Sequence, residues 1–392
     1  MLFVIYLSTL GMVLGLFVTW LVHSRGKLQI VVDPHADPLE DPFPAPPPLI
    51  SVIIPARNEG RNIRRCVQAL LKQTYPYFEI IVIDDRSTDE TPHILVELAK
   101  DDPHLQVIQG TDLPPGWAGK PYALVEGAAA ARGEWLCFVD ADTFAMPQLL
   151  ESTYHLAIKY HADMFSILTA QDLGSFWERA ILPLVFLGLS FGFPAERVND
   201  PTKPDAISNG QFILIKRNVY QQIGGHTAVK DRVDEDKAIA ILVKRAGYRL
   251  VLADGREVAR TRMYTSLPEM WEGWTKNIYL GLLDRLWLLL FGALLGLMVS
   301  FVLPFWLLGS LIWLGYGGGV IAAVVAGESI VLWGYLLWKR LQACRAFGIP
   351  AGYAFTFPLG ALIFTAMMFA SAFNVISGRG VLWKGRRYHQ ES

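Results

Sequence analysis

The sequence predicts an α/β fold, a mostly parallel sheet flanked by helices, with transmembrane α-helices at both ends of the chain. Three observations lead there. The 392 residues are 52% hydrophobic and only 18% charged, with a mean hydropathy of +0.32; that is too apolar for an ordinary soluble enzyme and too long for one domain. From Ile50 to about Tyr279, short β-branched runs alternate with amphipathic stretches, the pattern of strands alternating with helices. Uncharged stretches of membrane-spanning length lie before and after that region. The net charge of −1 and the lack of a long Lys/Arg block before the C-terminus leave nucleic acid no electrostatic footprint.

Leu2 to Val22 carries no charge and is followed at once by His23, Arg25 and Lys27. A secretory signal would want a basic residue before the apolar run and a small-residue cleavage site after it. An uncleaved anchor over residues 1–24 is therefore expected, and Arg25 and Lys27 place the next segment on the cytoplasmic face of an integral membrane protein. Residues 33–48 read as a proline-rich linker ending in Pro46, Pro47 and Pro48, stiff enough to hold the next domain off the bilayer. That domain is expected over residues 49–280. It starts with a strand from Ser51 to Ile54, a helix from Glu59 to Gln73 and a strand from Glu79 to Ile83. A helix from Asp89 to Lys100, a strand from Gln106 to Ile108, a helix near Tyr122 to Ala131 and a strand from Trp135 to Val139 follow. Transmembrane helices are expected within 286–377, at Leu286 to Trp313, Val320 to Trp338 and Tyr353 to Ile376, and a basic tail over 378–392. A simple count puts the Lys339, Arg340, Arg345 loop inside and the tail outside. A re-entrant stretch broken at Pro304 reverses both, and the sequence leaves the two readings open.

Open α/β sheets bind ligands beyond the carboxyl ends of their strands. Here those ends are Pro55 to Glu59, Asp84 to Asp89 and Asp140 to Asp142. Asp140 and Asp142 sit two residues apart on an extended chain, so both carboxylates can face one divalent cation or divide between metal and ribose; the same spacing also serves turns and caps. In Asp84 to Asp89, capping accounts for one acid and not for three. Pro55 to Glu59 sits at a strand-to-helix turn, where side chains can read a base and a helix N-terminus can meet negative charge, or where the chain simply turns. Pro114 to Lys120 is a flexible loop whose lysine suits a diphosphate. Asp234, Glu235 and Asp236 open a helix running to about Arg245. They exceed what the helix dipole needs, and a carboxylate there can serve as a general base. Trp271 and Trp274 share a helical face, as interfacial anchors or as a surface for sugar stacking. Cys66, Cys137 and Cys344 are far apart in apolar stretches, as buried structural thiols are, and the eight histidines lack ligand spacing.

Taken in order, the PxxNE-like start, DDxSxD, GWxGK, DxD, the ED before a helix and the tryptophan-rich segment resemble the family 2 glycosyltransferases, in their membrane-anchored branch, from roughly Ser51 to Asn277. The resemblance implies a nucleotide-sugar enzyme of the GT-A fold. By motif match, Pro55, Arg57, Glu59 and Asp85 line the nucleobase pocket, and Lys120 lies near the nucleotide. Asp140 lies near ribose and metal, Asp142 ligates Mg²⁺ or Mn²⁺, Glu235 and Trp274 join the nucleotide-sugar site, and Asp236 is the catalytic base. The chain departs from processive members, which carry QxxRW: the matching stretch here is Met270 to Trp274, with the tryptophan but neither the glutamine nor the arginine. The loop from Leu113 to Lys120, the segment from Ser175 to Arg179 and the tail from Gly378 to Arg386 look more like the subgroup that glycosylates carotenoids and other terpenoid lipids.

The expected function is inverting, metal-dependent transfer of a sugar from a nucleotide donor, UDP-linked, to the hydroxyl of a membrane lipid, a carotenoid or other terpenoid. A glycerolipid, sphingolipid or polyprenyl-phosphate acceptor is the alternative within enzymes. A membrane subunit that binds nucleotide sugar without transferring it is the alternative outside them. The nearly uncharged run from Ala180 to Pro194 is expected either to admit the lipid acceptor from the bilayer or to form a core helix broken at Pro183.

Overall fold

The computed structural model describes residues 9–11, 15, 29–35, 46–282, 286–377, 379, 381–383 and 386–388. Most of the expected anchor at 1–24, residues 36–45 of the linker and part of the tail lie outside the described residues. The chain divides into two compact units, one of residues 27–172 and 193–263, the other of residues 1–26, 173–192 and 264–392.

The first unit is built on a seven-stranded sheet. In chain order its elements are β1 (Ile50–Ala56), α1 (Ile63–Leu70), β2 (Phe78–Asp84), α2 (Thr91–Asp101), β3 (Leu105–Gln109), α3 (Gly119–Ala130), β4 (Trp135–Phe138), β5 (Thr143–Ala145), α4 (Leu149–Lys159), β6 (Met164–Leu168) and β7 (Ala170–Gln171). The second unit then contributes α5 (Phe176–Gly192), after which the first resumes with α6 (Ala195–Asn199), β8 (Ile213–Lys216), α7 (Arg217–Gln222), a 3₁₀ turn (Gly225–Val229), α8 (Glu235–Arg245), β9 (Leu250–Asp254) and β10 (Ala259–Thr261). The strand order is β3-β2-β1-β4-β8-β6-β9. β8 pairs antiparallel with β4 and β6 while the other pairings are parallel. This is the mostly parallel α/β sheet the alternating pattern predicted.

Side-chain alternation along β1 explains why helices cover both faces. Val52 and Ile54 enter one core with Val67, Leu70 and Phe165, whereas Ile53 enters the other with Ile81, Leu124 and Phe138. α3 lies close on the second face because Gly127 has no side chain: a Cβ there would come within 2.4 Å of Ile53 and 2.5 Å of Ile83. Ahead of the sheet, Val32 N–H donates to Asp254 O at 2.8 Å and the Tyr75 hydroxyl donates to Pro48 O at 2.6 Å, so both described ends of the proline-rich segment are fastened to this unit.

The second unit is helical. After α5 come α9 (Leu267–Leu282), α10 (Leu286–Leu297), a π turn (Met298–Val302), α11 (Leu303–Gly315), α12 (Gly319–Ala346), a 3₁₀ turn (Ala351–Thr356), α13 (Phe357–Ile376) and the strand pair β11 (Val381–Trp383) and β12 (Arg386–Tyr388). Three stretches, Leu289–Gly315, Gly319–Ala346 and Ala351–Asn374, are long and apolar enough to cross a membrane. Helix continues through Pro304, and the π turn just before it supplies the wider spacing a proline needs. From the expected anchor, Thr9 donates its hydroxyl to Glu328 Oε1 of α12 at 2.5 Å.

α5 is likewise unbroken at Pro183. Ser175 and Glu178 form a capping box at its start: Glu178 N–H donates to Ser175 Oγ, and Ser175 N–H donates back to Glu178 Oε2. A proline has no N–H to give the carbonyl four residues earlier, here that of Arg179. Arg340 of α12 fills that gap, its Nη2 donating to Arg179 O at 2.8 Å and to Ala180 O at 3.1 Å. Gly360 of α13 sits against the same turn, where a Cβ would come within 2.3 Å of Ala180 O.

Candidate active site

The expected donor-site residues of the first unit fall at the strand ends and helix starts on the carboxyl side of the sheet. Pro55 belongs to the end of β1. Arg57 Nη1 lies 3.3 Å from Asp85 Oδ2, and Arg86 Nε donates to the other oxygen of Asp85 at 2.9 Å. Two left-handed residues, Asn58 (φ 54°) and Arg86 (φ 55°), turn the chain sharply after β1 and β2. The two turns are stitched together, with Asn58 N–H donating to Ser87 Oγ at 2.9 Å and Thr88 N–H donating to Asn58 Oδ1 at 2.8 Å. Glu59 accepts from Asn62 Nδ2 at 3.0 Å and is held by its own N–H on Thr91 Oγ1 at 2.8 Å. Asp84 accepts from Ser87 N–H through Oδ1, while its Oδ2 is buried with no hydrogen-bond partner.

Three segments far apart in sequence meet at Lys120. The ammonium, at the start of α3, lies 2.6 Å from Asp140 Oδ1 after β4 and 2.6 Å from Glu235 Oε1 at the start of α8. Asp236 joins them through Gly210, whose N–H donates to Asp236 Oδ2 at 3.0 Å. A Cβ on Gly210 would stand 3.0 Å from Lys120 Nζ and 3.3 Å from both Asp140 Oδ2 and Asp236 Oδ2, so any side chain there would push these groups apart. The other oxygen of Asp236 accepts from Lys237 N–H at 2.7 Å, and Ser208 Oγ donates to Asp236 O at 2.7 Å. Asp234 turns away to pair with Arg232 at 2.7 Å, which separates the three acids of this turn into one structural residue and two that face the lysine.

The charges perturb one another in defined directions. Burial opposes the Lys120 charge, but Asp140, Glu235 and Asp236 together hold its ammonium well above the ordinary lysine range. Burial pushes the Glu235 carboxyl up to about 7, with Lys120 pulling the other way. Burial also raises Asp236 against the pull of Lys120, which makes it a better proton acceptor than an exposed aspartate. The 3₁₀ turn at Gly225–Val229 packs on both α3 and α8, and Ala118 N–H donates to Lys230 O at 2.6 Å. His226 in this turn is buried on Tyr220, whose hydroxyl lies 2.9 Å from Nδ1, and burial followed by the nearby Lys120 charge holds the imidazole down at about 3.

Asp142 lies in the same turn as Asp140, where the Thr261 hydroxyl donates to Asp142 O at 3.1 Å and reaches Asp142 Oδ1 at 3.4 Å. Among the described residues no cluster of three or more His, Cys, Asp or Glu is arranged around a common metal position. The donor set nonetheless fits a hard cation: Asp140 and Asp142 offer carboxylate oxygens from one turn, and Mg²⁺ is commonly held by one or two carboxylates together with substrate phosphates. Trp274 falls in the helical unit, buried against Phe186 and Tyr264. Gly210, Ser208, Thr261 and His226 escaped the sequence reading. An Asn-Gly pair at 209–210 was the only local signal, and it reads as an ordinary turn.

Comparison with known proteins sets this fold beside glycosyltransferases. Residues 51–224 match the model of Glycosyl transferase family 2. The uncharacterized glycosyltransferase YibD of Escherichia coli is 34% identical over 115 residues, 29% of this chain and 32% of that protein. The 4,4'-diaponeurosporenoate glycosyltransferase of Staphylococcus aureus is 26% identical over 237 residues, 59% of this chain and 61% of that protein. The chain thus spans less than two thirds of the length of these relatives. Among solved structures, the mannosyltransferase PcManGT from Pyrobaculum calidifontis, in complex with GDP-Man and Mn²⁺, superposes with a TM-score of 0.54 over 95% of this chain and 97% of that chain, at 17% identity, a likeness of fold. Residues 51–224 of this chain form a glycosyl transferase family 2 domain.

Proposed function

We propose that the chain is an inverting glycosyltransferase that moves a sugar from a UDP-linked donor to the hydroxyl of a membrane lipid, with the donor site facing the cytoplasm. The observation that carries this reading is the meeting of Lys120 with Asp140 and Glu235, each at 2.6 Å, beside Asp236. A lysine held among carboxylates at the mouth of the sheet can release one of them to meet a diphosphate. Arg57, Glu59 and Asp85 lie at the ends of β1 and β2, where a nucleobase would be read. A divalent cation on Asp142 and Asp140 would stabilise the negative charge that builds on the departing diphosphate.

In the transfer, Asp236 takes the proton of the acceptor hydroxyl as its oxygen bonds to the anomeric carbon. The bond from that carbon to the diphosphate breaks on the opposite face and the nucleotide keeps the electron pair, so the anomeric centre inverts. The two backbone N–H groups on Asp236 fix its orientation. The relative that acts on 4,4'-diaponeurosporenoate, similar over 59% of this chain, supports a terpenoid acceptor, and the apolar helices support a lipid context. The test is a membrane preparation given labelled UDP-sugars and extracted lipids. Metal-dependent labelling of a lipid that disappears with Asp236→Asn is expected; labelling that survives the substitution would remove Asp236 from its role, and no labelling would sink the reading.

A further inference from the structure

The three long apolar helices of the second unit do not behave alike. α11 and α12 form a hairpin, with Trp333 Nε1 of α12 donating to Leu303 O at 3.2 Å and the turn at Tyr316–Gly318 at its tip. Call that tip the far end, and the end at which α9 leads into α10 the near end. Trp333 lies midway along α12, leaving roughly 20 Å of helix between it and the near end. α13 begins at that middle level, because the ring of Phe357, its first residue, lies 5.0 Å from that of Trp333.

From there α13 runs toward the near end. Gly296 of α10 faces Ala361 and Thr365, and Gly292, one turn nearer to α9, faces Met368. α13 is therefore antiparallel to α10 and returns beside the start of it. Its other neighbours agree. α13 packs on α5 and α9, and β11, which follows it, packs on α9 as well. The connection from α12 also doubles back: Ile349 and Ala354 pack with Cys344 against Leu337 and Leu341, along the last turns of α12. Non-helical backbone at membrane depth is tolerated where protein covers it, and Ile349, Ala354 and Phe357 are all buried.

We infer that α13 is a re-entrant helix, which starts at mid-depth and comes back to the near side, so that of these three long apolar stretches the α10–α11 segment and α12 pass through to the far side and α13 does not. Its partner is the acyl region of a single bilayer leaflet, met by Phe369, Phe373 and Ile376, whereas the hairpin carries exposed apolar side chains such as Phe305, Ile312 and Val320 through to its tip. Charge agrees independently. Arg345 and Arg379 fall together on the near side, and the far turn at Tyr316–Gly319 has no charge, the distribution the positive-inside rule favours.

Three single cysteines in the full chain test this, labelled with a membrane-impermeant maleimide in sealed vesicles before and after permeabilisation. The native cysteines are buried and give a low background. Tyr316→Cys, Ala346→Cys and Ser377→Cys are all at exposed positions. Ser377→Cys and Ala346→Cys are expected to label from one side and Tyr316→Cys from the other. Ser377→Cys labelling together with Tyr316→Cys would overturn the inference, as would all three labelling from one side. Protease protection of an epitope added after Ser392, read against Ala346→Cys labelling, gives the same answer without the Ser377 variant. Neither result depends on sugar transfer.

Discussion

Lys120 in the sheet unit and Arg340 in the helical unit are basic side chains satisfied in opposite ways. Lys120, in the sheet unit, is met by ionisable groups: Asp140 and Glu235 at 2.6 Å, with Asp236 close by. Arg340, in the helical unit, is 5% exposed and meets two carbonyl oxygens, that of Arg179, which Pro183 leaves without a helical donor, and that of Ala180 beside it, while its Nε and Nη1 have no hydrogen-bond partner. Full charges can be exchanged, because a phosphate can replace a carboxylate on the same lysine. Backbone carbonyls cannot leave. The first arrangement suits a ligand site, and the second fixes one helix against another.

The largest effect that would sharpen this contrast is on chemistry. Asp236→Asn keeps the size of the side chain but removes the proton acceptor, so transfer should fall by about 10²–10⁴-fold while nucleotide binding, followed by calorimetry, changes little. A parallel loss of binding would show that Asp236 works as a ligand and not as a base. Lys120→Met should cost about 1–3 kcal/mol, less than the ~3–5 kcal/mol of a fully buried pair because the lysine keeps part of its hydration. Without the ammonium, Glu235 and Asp236 are pushed further up, so the loss should be seen at pH 8 and shrink on acidification as they take protons. A loss independent of pH would mean that the lysine acts through packing.

In the helical unit, Arg340→Met should lower thermal stability in detergent by about 1–3 kcal/mol, because the Arg179 carbonyl loses the donor that stands in for the N–H missing at Pro183. Pro183→Ala restores an N–H for the Arg179 carbonyl. The double variant should therefore be less destabilised than the sum of the two, by roughly 0.5–1.5 kcal/mol. Strict additivity would break the link between the arginine and the proline. The smallest effect at neutral pH concerns His226. Its folded value, about 3, is below the unfolded one, so its contribution is complete above pH ~6.5 and is lost as pH falls toward 3. His226→Phe should flatten that limb of the stability profile measured by thermal denaturation.

How much of this was legible in the sequence varied with how local the signal was. Asp140, Asp142, Glu235 and Asp236 could be picked out because each lies in a short run at a strand end or helix start, where carboxylates exceed what turns and caps use. Lys120 was legible only as the end of a glycine-containing loop, and its two contacts at 2.6 Å join residues 20 and 115 positions away in sequence. Gly210 had no chance of being found: what singles it out is the crowding of Lys120, Asp140 and Asp236 around a missing Cβ. Trp274, grouped with the donor site by resemblance, is buried in the other unit between Phe186 and Tyr264, because the helix that carries it uses the indole for packing.

The sequence by itself determined the alternating strands and helices, the sheet class and the apolar spans, since these follow from residue periodicity and transfer energy, properties of contiguous chain. It also located the acids, because a motif is a local arrangement of chemical types. Only the tertiary structure decided which acid faces the lysine and which pairs with Arg232, which donor replaces the N–H missing at Pro183, and toward which end α13 runs. Each of those is a contact between residues that are distant in sequence, made when packing brings their elements together, and no local pattern encodes it.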